Sequence, residues 1–85
     1  MTDGSSIEQE VAAYILQEFL PGEDPSELTR TTPLISAGII DSIATLKLVN
    51  FLENTFSISL AAHETDVDHL DTIERIGQLV EAKRA

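Results

Sequence analysis

The chain has 85 residues, with 15 Asp and Glu against 5 Lys and Arg, for a formal charge of −10 with His neutral. That length holds one domain, spanning 1–85, and leaves little room for a deep, water-excluded enzyme cleft. The acidic excess excludes nucleic acid and anionic membrane surfaces, which need a cationic face, and favours basic partners. The apolar fraction of 42% is enough for a core, and no apolar run approaches the ~18 residues that span a bilayer. Zero cysteine removes disulfides, thiolate zinc sites and iron–sulfur clusters. The start Met1–Ser6 lacks the basic, greasy pattern of a signal peptide. A cytoplasmic monomer is expected.

The first helix is predicted from Ser5, where Ser5 with Glu8, or Ser6 with Gln9, has capping-box spacing. Ile7, Val11, Ile15 and Phe19 recur every four residues, and Ala12 and Leu16 widen that stripe. Pro21-Gly22 stops the helix. Residues 21–41 then form a long connection punctuated by Gly22, Pro25, Pro33 and Gly38. Leu28, Leu34, Ile35, Ile39 and Ile40 can pin it to a core, with a helical turn expected near Pro25–Leu28 and a surface pair between Arg30 and Glu27.

A second helix is predicted from Asp41-Ser42 to Phe56, with Asp41 as its N-cap. At about 100° per residue, Leu46, Leu48, Val49, Leu52 and Phe56 share an arc of roughly 160° and are read as core. Ile43 falls among the polar positions Lys47, Asn50 and Asn54. Tyr14 and Phe51 are read as core or flank packing. Residues 57–62 connect, burying Ile58 and Leu60, and His63–Leu70 holds one or two helical turns. The last helix starts near Asp71-Thr72, with Asp71 and Glu74 at capping spacing, and presents Ile73, Ile76, Leu79 and Val80. Lys83 and Arg84 sit at its cation-favouring end. Gly77 inside it suits a close helix crossing. The fold class is all-α: a four-helix bundle of three main helices and one short one, with a long loop between the first two.

The chemistry concentrates in Gly38-Ile39-Ile40-Asp41-Ser42-Ile43, followed by Leu46, Val49, Leu52 and Phe56. An apolar loop runs into Asp-Ser at the head of an amphipathic helix. This resembles the acyl carrier protein family, with its peptidyl and aminoacyl carriers, over nearly the whole chain. The resemblance implies an acyl-carrier-like fold and no catalysis. It implies a 4′-phosphopantetheine arm on Ser42, donated from coenzyme A by a phosphopantetheinyl transferase, and acyl or aminoacyl thioesters on that arm. A phosphodiester suits a helix N-terminus, where N–H groups are unpaired and the dipole is positive.

By the same resemblance Asp41 contacts the transferase, through its metal, besides capping the helix. Ile43 belongs to the partner-recognition face, or else packs under the 38–40 loop. The partners implied are a ligase that activates acyl or aminoacyl groups and downstream acyl-transfer enzymes. In fatty acid biosynthesis, carriers have an acidic second helix; here Lys47 and Glu53 are its only charges, and they cancel. That departure points to a dedicated partner set in a specialised lipid, polyketide or peptide pathway, with Lys47 on the partner face. Otherwise the acids Glu64, Asp66, Asp68, Asp71 and Glu74 take over recognition. A different reading of the whole chain is a small acidic interaction domain with no prosthetic group. The run His63–His69 lacks the spacing of a metal loop, and no Gly-x-Ser-x-Gly elbow marks a hydrolase.

The charge balance makes a prediction of its own. Self-repulsion at −10 destabilises the compact state, so moderate salt raises Tm. A melting temperature that stays flat from low to moderate NaCl contradicts it.

Overall fold

The computed structural model describes residues 4–20, 22 and 28–84. Four helices follow in order: α1 Gly4–Phe19, α2 Ser42–Phe56, α3 Val67–Leu70 and α4 Ile73–Arg84, with a short 3₁₀ turn at Ala62–Glu64 between α2 and α3. No strand occurs among the described residues. The radius of gyration is 11.7 Å, close to the about 12 Å of a compact single domain of this length.

The apolar stripe of α1 is the expected one. Ile7, Val11 and Ile15 are buried, and Ala12, Leu16 and Phe19 are half-buried against the same core. Its start differs from the capping-box expectation. The helix is already formed at Gly4, so Ser5 and Ser6 lie inside the first turn, and the Glu8 carboxylate is taken by Arg30. The Ser5 side chain, Pro21 and the turn expected from Pro25 lie outside the described residues.

α1 packs most extensively against α4, and Gly77 sits at that crossing. A Cβ there would meet the Glu8 side chain at 3.0 Å, so a larger residue would have to displace that side chain and its pairing with Arg30.

The buried row of α2 is Ala44, Leu48, Leu52 and Phe56, spaced by four. Val49 packs at the edge of the core. Leu46 does not face inward: it is 66% exposed, which overturns its assignment to the core. The reason is geometric. The i, i+4 row that faces α1 and α4 covers an arc of about 120°, and Leu46 lies outside it, on the side of Ser42. The helix ends at Ser57, whose left-handed backbone (φ 56°) returns its N–H to the Glu53 carbonyl.

The long connection is described from Leu28 onward, and that part is pinned to the core. Leu28, Leu34 and Ile40 are buried, and Ile35 and Ile39 pack partly against the core. Ile58 is buried and Leu60 half-buried, as the sequence suggests. Tyr14 stacks on Phe51 with centroids 4.0 Å apart, and its hydroxyl donates to the Lys47 carbonyl at 3.2 Å. These rings pack α1 onto α2.

The two faces of α2 respond differently to truncation. Leu48→Ala and Leu52→Ala each cost about 2–5 kcal/mol, a large part of the about 4–13 kcal/mol available to a domain of this size. Leu46→Ala changes stability by about 0.5 kcal/mol or less. Urea unfolding of the three variants checks the contrast, and an equal loss at Leu46 contradicts the placement.

Candidate functional site

Ser42 is the first residue of α2 and is exposed. Its position is set from both sides. On the helix side, Asp41 is extended (φ −93°, ψ −171°) and its carboxylate accepts the Ala44 N–H at 2.8 Å. The Asp41 carbonyl opens the helical ladder by accepting Thr45 N–H at 2.8 Å, with the Thr45 hydroxyl on the same oxygen. Asp41 is thus the N-cap the sequence predicts. An N-cap satisfies part of the donor set at a helix start, and the remaining positive end of the 15-residue helix lies beside the Ser42 hydroxyl.

On the loop side, residues 34–40 close on themselves. Gly38 takes φ +80° and donates to the Ile35 carbonyl at 3.0 Å, and Ile40 donates to the Leu34 carbonyl at 3.0 Å. A left-handed residue is needed at that turn, which is why glycine stands in the motif four residues ahead of Ser42. Buried Leu34 and Ile40 fasten the two ends of the turn into the core.

The turn is then held to the junction between α3 and α4. The Asp71 carboxylate accepts the Ile35 and Ser36 N–H groups, each at 2.9 Å, and the Ser36 hydroxyl at 2.9 Å. The Leu34 N–H donates to the Asp71 carbonyl at 2.6 Å. Asp71 is therefore not the cap of the last helix. That role falls to Thr72, whose hydroxyl accepts the Arg75 N–H at 3.1 Å. Upstream, the Arg30 carbonyl accepts the Glu74 N–H at 3.0 Å, and the Arg30 guanidinium joins Glu8 on α1 to Glu74 on α4. Glu27, the expected partner of Arg30, lies outside the described residues. The hydrogen bonds from Ser36 and Ile35, led by the Ser36 backbone, hold the Asp71 carboxyl below its ordinary range.

Beside Ser42 lies an open groove of about 320 Å³, lined by Ile35, Ser42, Thr45, Leu46, Val49, Thr65 and Val67. Ile43 is 68% exposed next to the site serine, which removes the alternative that it packs under the 38–40 loop. Lys47 is exposed one turn further on. Asp41, Ser42 and Ile43 thus stand consecutively at the head of α2, and Lys47 lies a turn along and on another side of the helix from Ser42. The groove and the Asp71 clamp escaped sequence reading. One signal was available for the groove: on a helical wheel Leu46 lies only about 40° from Ser42, so a Ser42 open to solvent carries Leu46 outward with it.

The acidic stretch is differently employed. Glu64 pairs with Lys83 at 2.8 Å and accepts the Ala61 N–H, and both contacts, the Lys83 bond first, lower its pKa. Asp66 caps α3 and pairs with His69 at 2.8 Å, which lowers its pKa as well. With Asp71 on the loop and Glu74 on Arg30, four of the five acids hold the fold together. No group of three or more His, Cys, Asp and Glu able to hold a metal occurs among the described residues. None of the described helices is long and apolar enough to cross a membrane.

No protein-family model matches the chain. It is 37% identical over 76 residues to the D-alanyl carrier proteins of Streptococcus pyogenes serotype M5 (strain Manfredo), serotype M49 (strain NZ131) and serotype M1, covering 89% of this chain and 92% of each relative.

The clamp sets a pH dependence. A carboxyl whose folded pKa is lowered contributes fully above its unfolded pKa of about 4, and the contribution is lost as pH falls through the folded value. Stability therefore declines on acidification below about pH 4, and Asp71→Asn makes the decline shallower. Asp71→Ala, which removes all three bonds, costs about 1–2 kcal/mol at neutral pH. Urea midpoints across pH 3–7 measure both effects (roughly the carboxylate titration range), and identical curves for Asp71→Asn and wild type refute the assignment.

Proposed function

The chain belongs to the phosphopantetheine-dependent carrier proteins, and on that premise we propose that it carries an aminoacyl group, D-alanine first among the candidates, as a thioester on a 4′-phosphopantetheine arm attached to Ser42. The observation behind this reading is the exposed Ser42 hydroxyl at the head of α2, between a capping aspartate and a turn anchored to Asp71 at the α3–α4 junction. D-alanine comes from what the relatives are named for. The α2 helix, with Lys47 and Glu53 as its only charges, sets this chain apart from fatty-acid carriers.

The residues fit the arm. Ser42 Oγ forms the bond to phosphorus as the pyrophosphate link of coenzyme A breaks; adenosine 3′,5′-bisphosphate leaves, and the hydroxyl proton passes to the transferase. The positive end of the α2 dipole would favour a phosphodiester at this position. Asp41 fixes the helix start and offers its exposed carboxylate edge to the transferase and its metal. The arm supplies the thiol that a chain without cysteine lacks. The protein itself does no catalysis; it is the shared substrate of a transferase, an adenylating ligase and an acceptor enzyme. A tether raises the effective concentration of cargo at each of them. This traffic runs in the cytoplasm, where coenzyme A and ATP are at hand.

Intact-mass analysis tests the attachment. Wild type incubated with coenzyme A and a broad-specificity phosphopantetheinyl transferase gains one phosphopantetheine, and Ser42→Ala gains none. Adding ATP, D-alanine and the host's D-alanine-activating ligase then adds one alanyl group, released by hydroxylamine. A bare wild type, under conditions that modify a control carrier, refutes the reading.

A further inference from the structure

Three segments of the chain meet on one residue. Asp71 closes α3, donating its N–H to the Val67 carbonyl at 3.1 Å. Its carbonyl accepts the Leu34 N–H, and its carboxylate accepts the Ile35 and Ser36 N–H groups and the Ser36 hydroxyl. It stands between buried Leu70 and buried Ile73, so its own backbone is held by the core on both sides.

Two of those partners belong to the groove beside Ser42. α2 supplies Ser42, Thr45, Leu46 and Val49 to its lining, and Ile35, Thr65 and Val67 complete it. Ile35 comes from the loop and Val67 from the head of α3, and Asp71 is hydrogen-bonded to both. One residue thus sets where the part of the lining that α2 does not supply stands.

The loop needs that hold. Its two ends are buried at Leu34 and Ile40 and tied together by the Ile40 N–H on the Leu34 carbonyl. Between them Ile35 lies half-buried at an open groove whose other lining residues include Leu46 and Val49. Freed from Asp71, that apolar side chain gains by closing on Leu46 and Val49, because burial of apolar surface is favourable. Closing covers the Ser42 hydroxyl, which lies in the same groove.

We infer that Asp71 is a positioning residue for attachment of the arm: it holds Ile35 and the loop off α2, and so keeps Ser42 Oγ open to the transferase. The inference rests on the carrier reading of Ser42. Asp71 does not line the groove; it acts through Ile35, Ser36 and Val67. Geometry rather than charge carries the effect. The three donors on the carboxylate are neutral loop groups, while Arg75, which attracts Asp71 through space, donates to the Asp68 carbonyl at 3.3 Å. An amide can therefore stand in for the carboxylate. Its oxygen accepts the two N–H groups that share Oδ1, and its NH2 donates to Ser36 Oγ.

The test is transfer of phosphopantetheine from coenzyme A to the arm-free protein by a broad-specificity transferase, read as kcat/KM for the carrier. Amide exchange in D2O, followed by NMR, is the second readout. Thermal melts set a temperature at which every variant is folded. Asp71→Ala lowers kcat/KM roughly tenfold or more, the loss expected when about a tenth of the molecules or fewer keep the groove open. Asp71→Asn stays within about twofold of wild type, as does Val80→Ala, a core truncation in α4 that lowers Tm without touching the groove. Removing the apolar tip reverses the defect: Ile35→Ala added to Asp71→Ala recovers roughly fivefold or more, although it takes away further packing. The Ile35 and Ser36 amides are protected in wild type and Asp71→Asn, and lose protection in Asp71→Ala while Val11 and Ile15 keep theirs.

Asp71→Ala that is modified as fast as Val80→Ala overturns the proposal. Asp71→Asn as slow as Asp71→Ala does so too, as does a double variant no faster than Asp71→Ala, which assigns the loss to the fold. Unprotected Ile35 and Ser36 amides in wild type overturn it however the variants fold. Wild type that the transferase never modifies brings down the carrier reading itself, whereas wild type and Asp71→Ala modified at equal rates remove only the role of Asp71.

Discussion

The anchoring of the long loop to the N-terminus of α4 governs this domain. Twenty-two residues separate α1 from α2, and a connection of that length is entropically free to wander unless something holds it. Here the described part of the loop supplies what the helix start lacks: the Arg30 carbonyl takes the Glu74 N–H, while the α4-side aspartate takes two loop N–H groups and a hydroxyl. Each partner satisfies groups the other would leave bare. Buried Leu34 and Ile40 add the apolar part of the same attachment. Because residue 40 is so fixed, the head of α2 is fixed two residues later.

This arrangement separates stability from contact. The apolar row of α2 that binds the bundle is Ala44, Leu48, Leu52 and Phe56, and the groups at its outer face take no part in it. The acids are divided in the same way. Four of the five between 64 and 74 serve caps, a loop and ion pairs, so their number says little about what basic surfaces the protein meets. Exposed pairs of this kind contribute modestly one by one; their effect here is to position backbone. Net charge is a property of the whole chain, whereas recognition depends on which side chains stand at one end of it.

For a carrier, this division has a use. A residue at the helix head can face a succession of enzymes without altering the core that holds it there. The groove at Ser42 is open, and its wall includes Val67 from the four-residue helix α3, whose Leu70 is buried in the core. The residues that hold the bundle and the residues left open to solvent fall on different faces of the same fifteen residues.

The amino-acid sequence alone determined the helices, the capping aspartate, the exposed serine at the helix head and the family resemblance. Each depends on neighbours within a turn or two: Asp41 caps a residue three positions on, and a four-residue repeat declares a helix face without knowing its partner. Tertiary structure decided where Leu46 points, what Asp71 binds and how the acids are spent. Those outcomes depend on which of two adjacent apolar arcs meets α1 and α4, and on backbone groups some 36 residues away along the chain. Periodicity reports that a side chain is apolar and in phase. It does not report how wide a strip the opposing helices cover, and an aspartate ahead of a helix looks like a cap until a distant loop arrives to claim it.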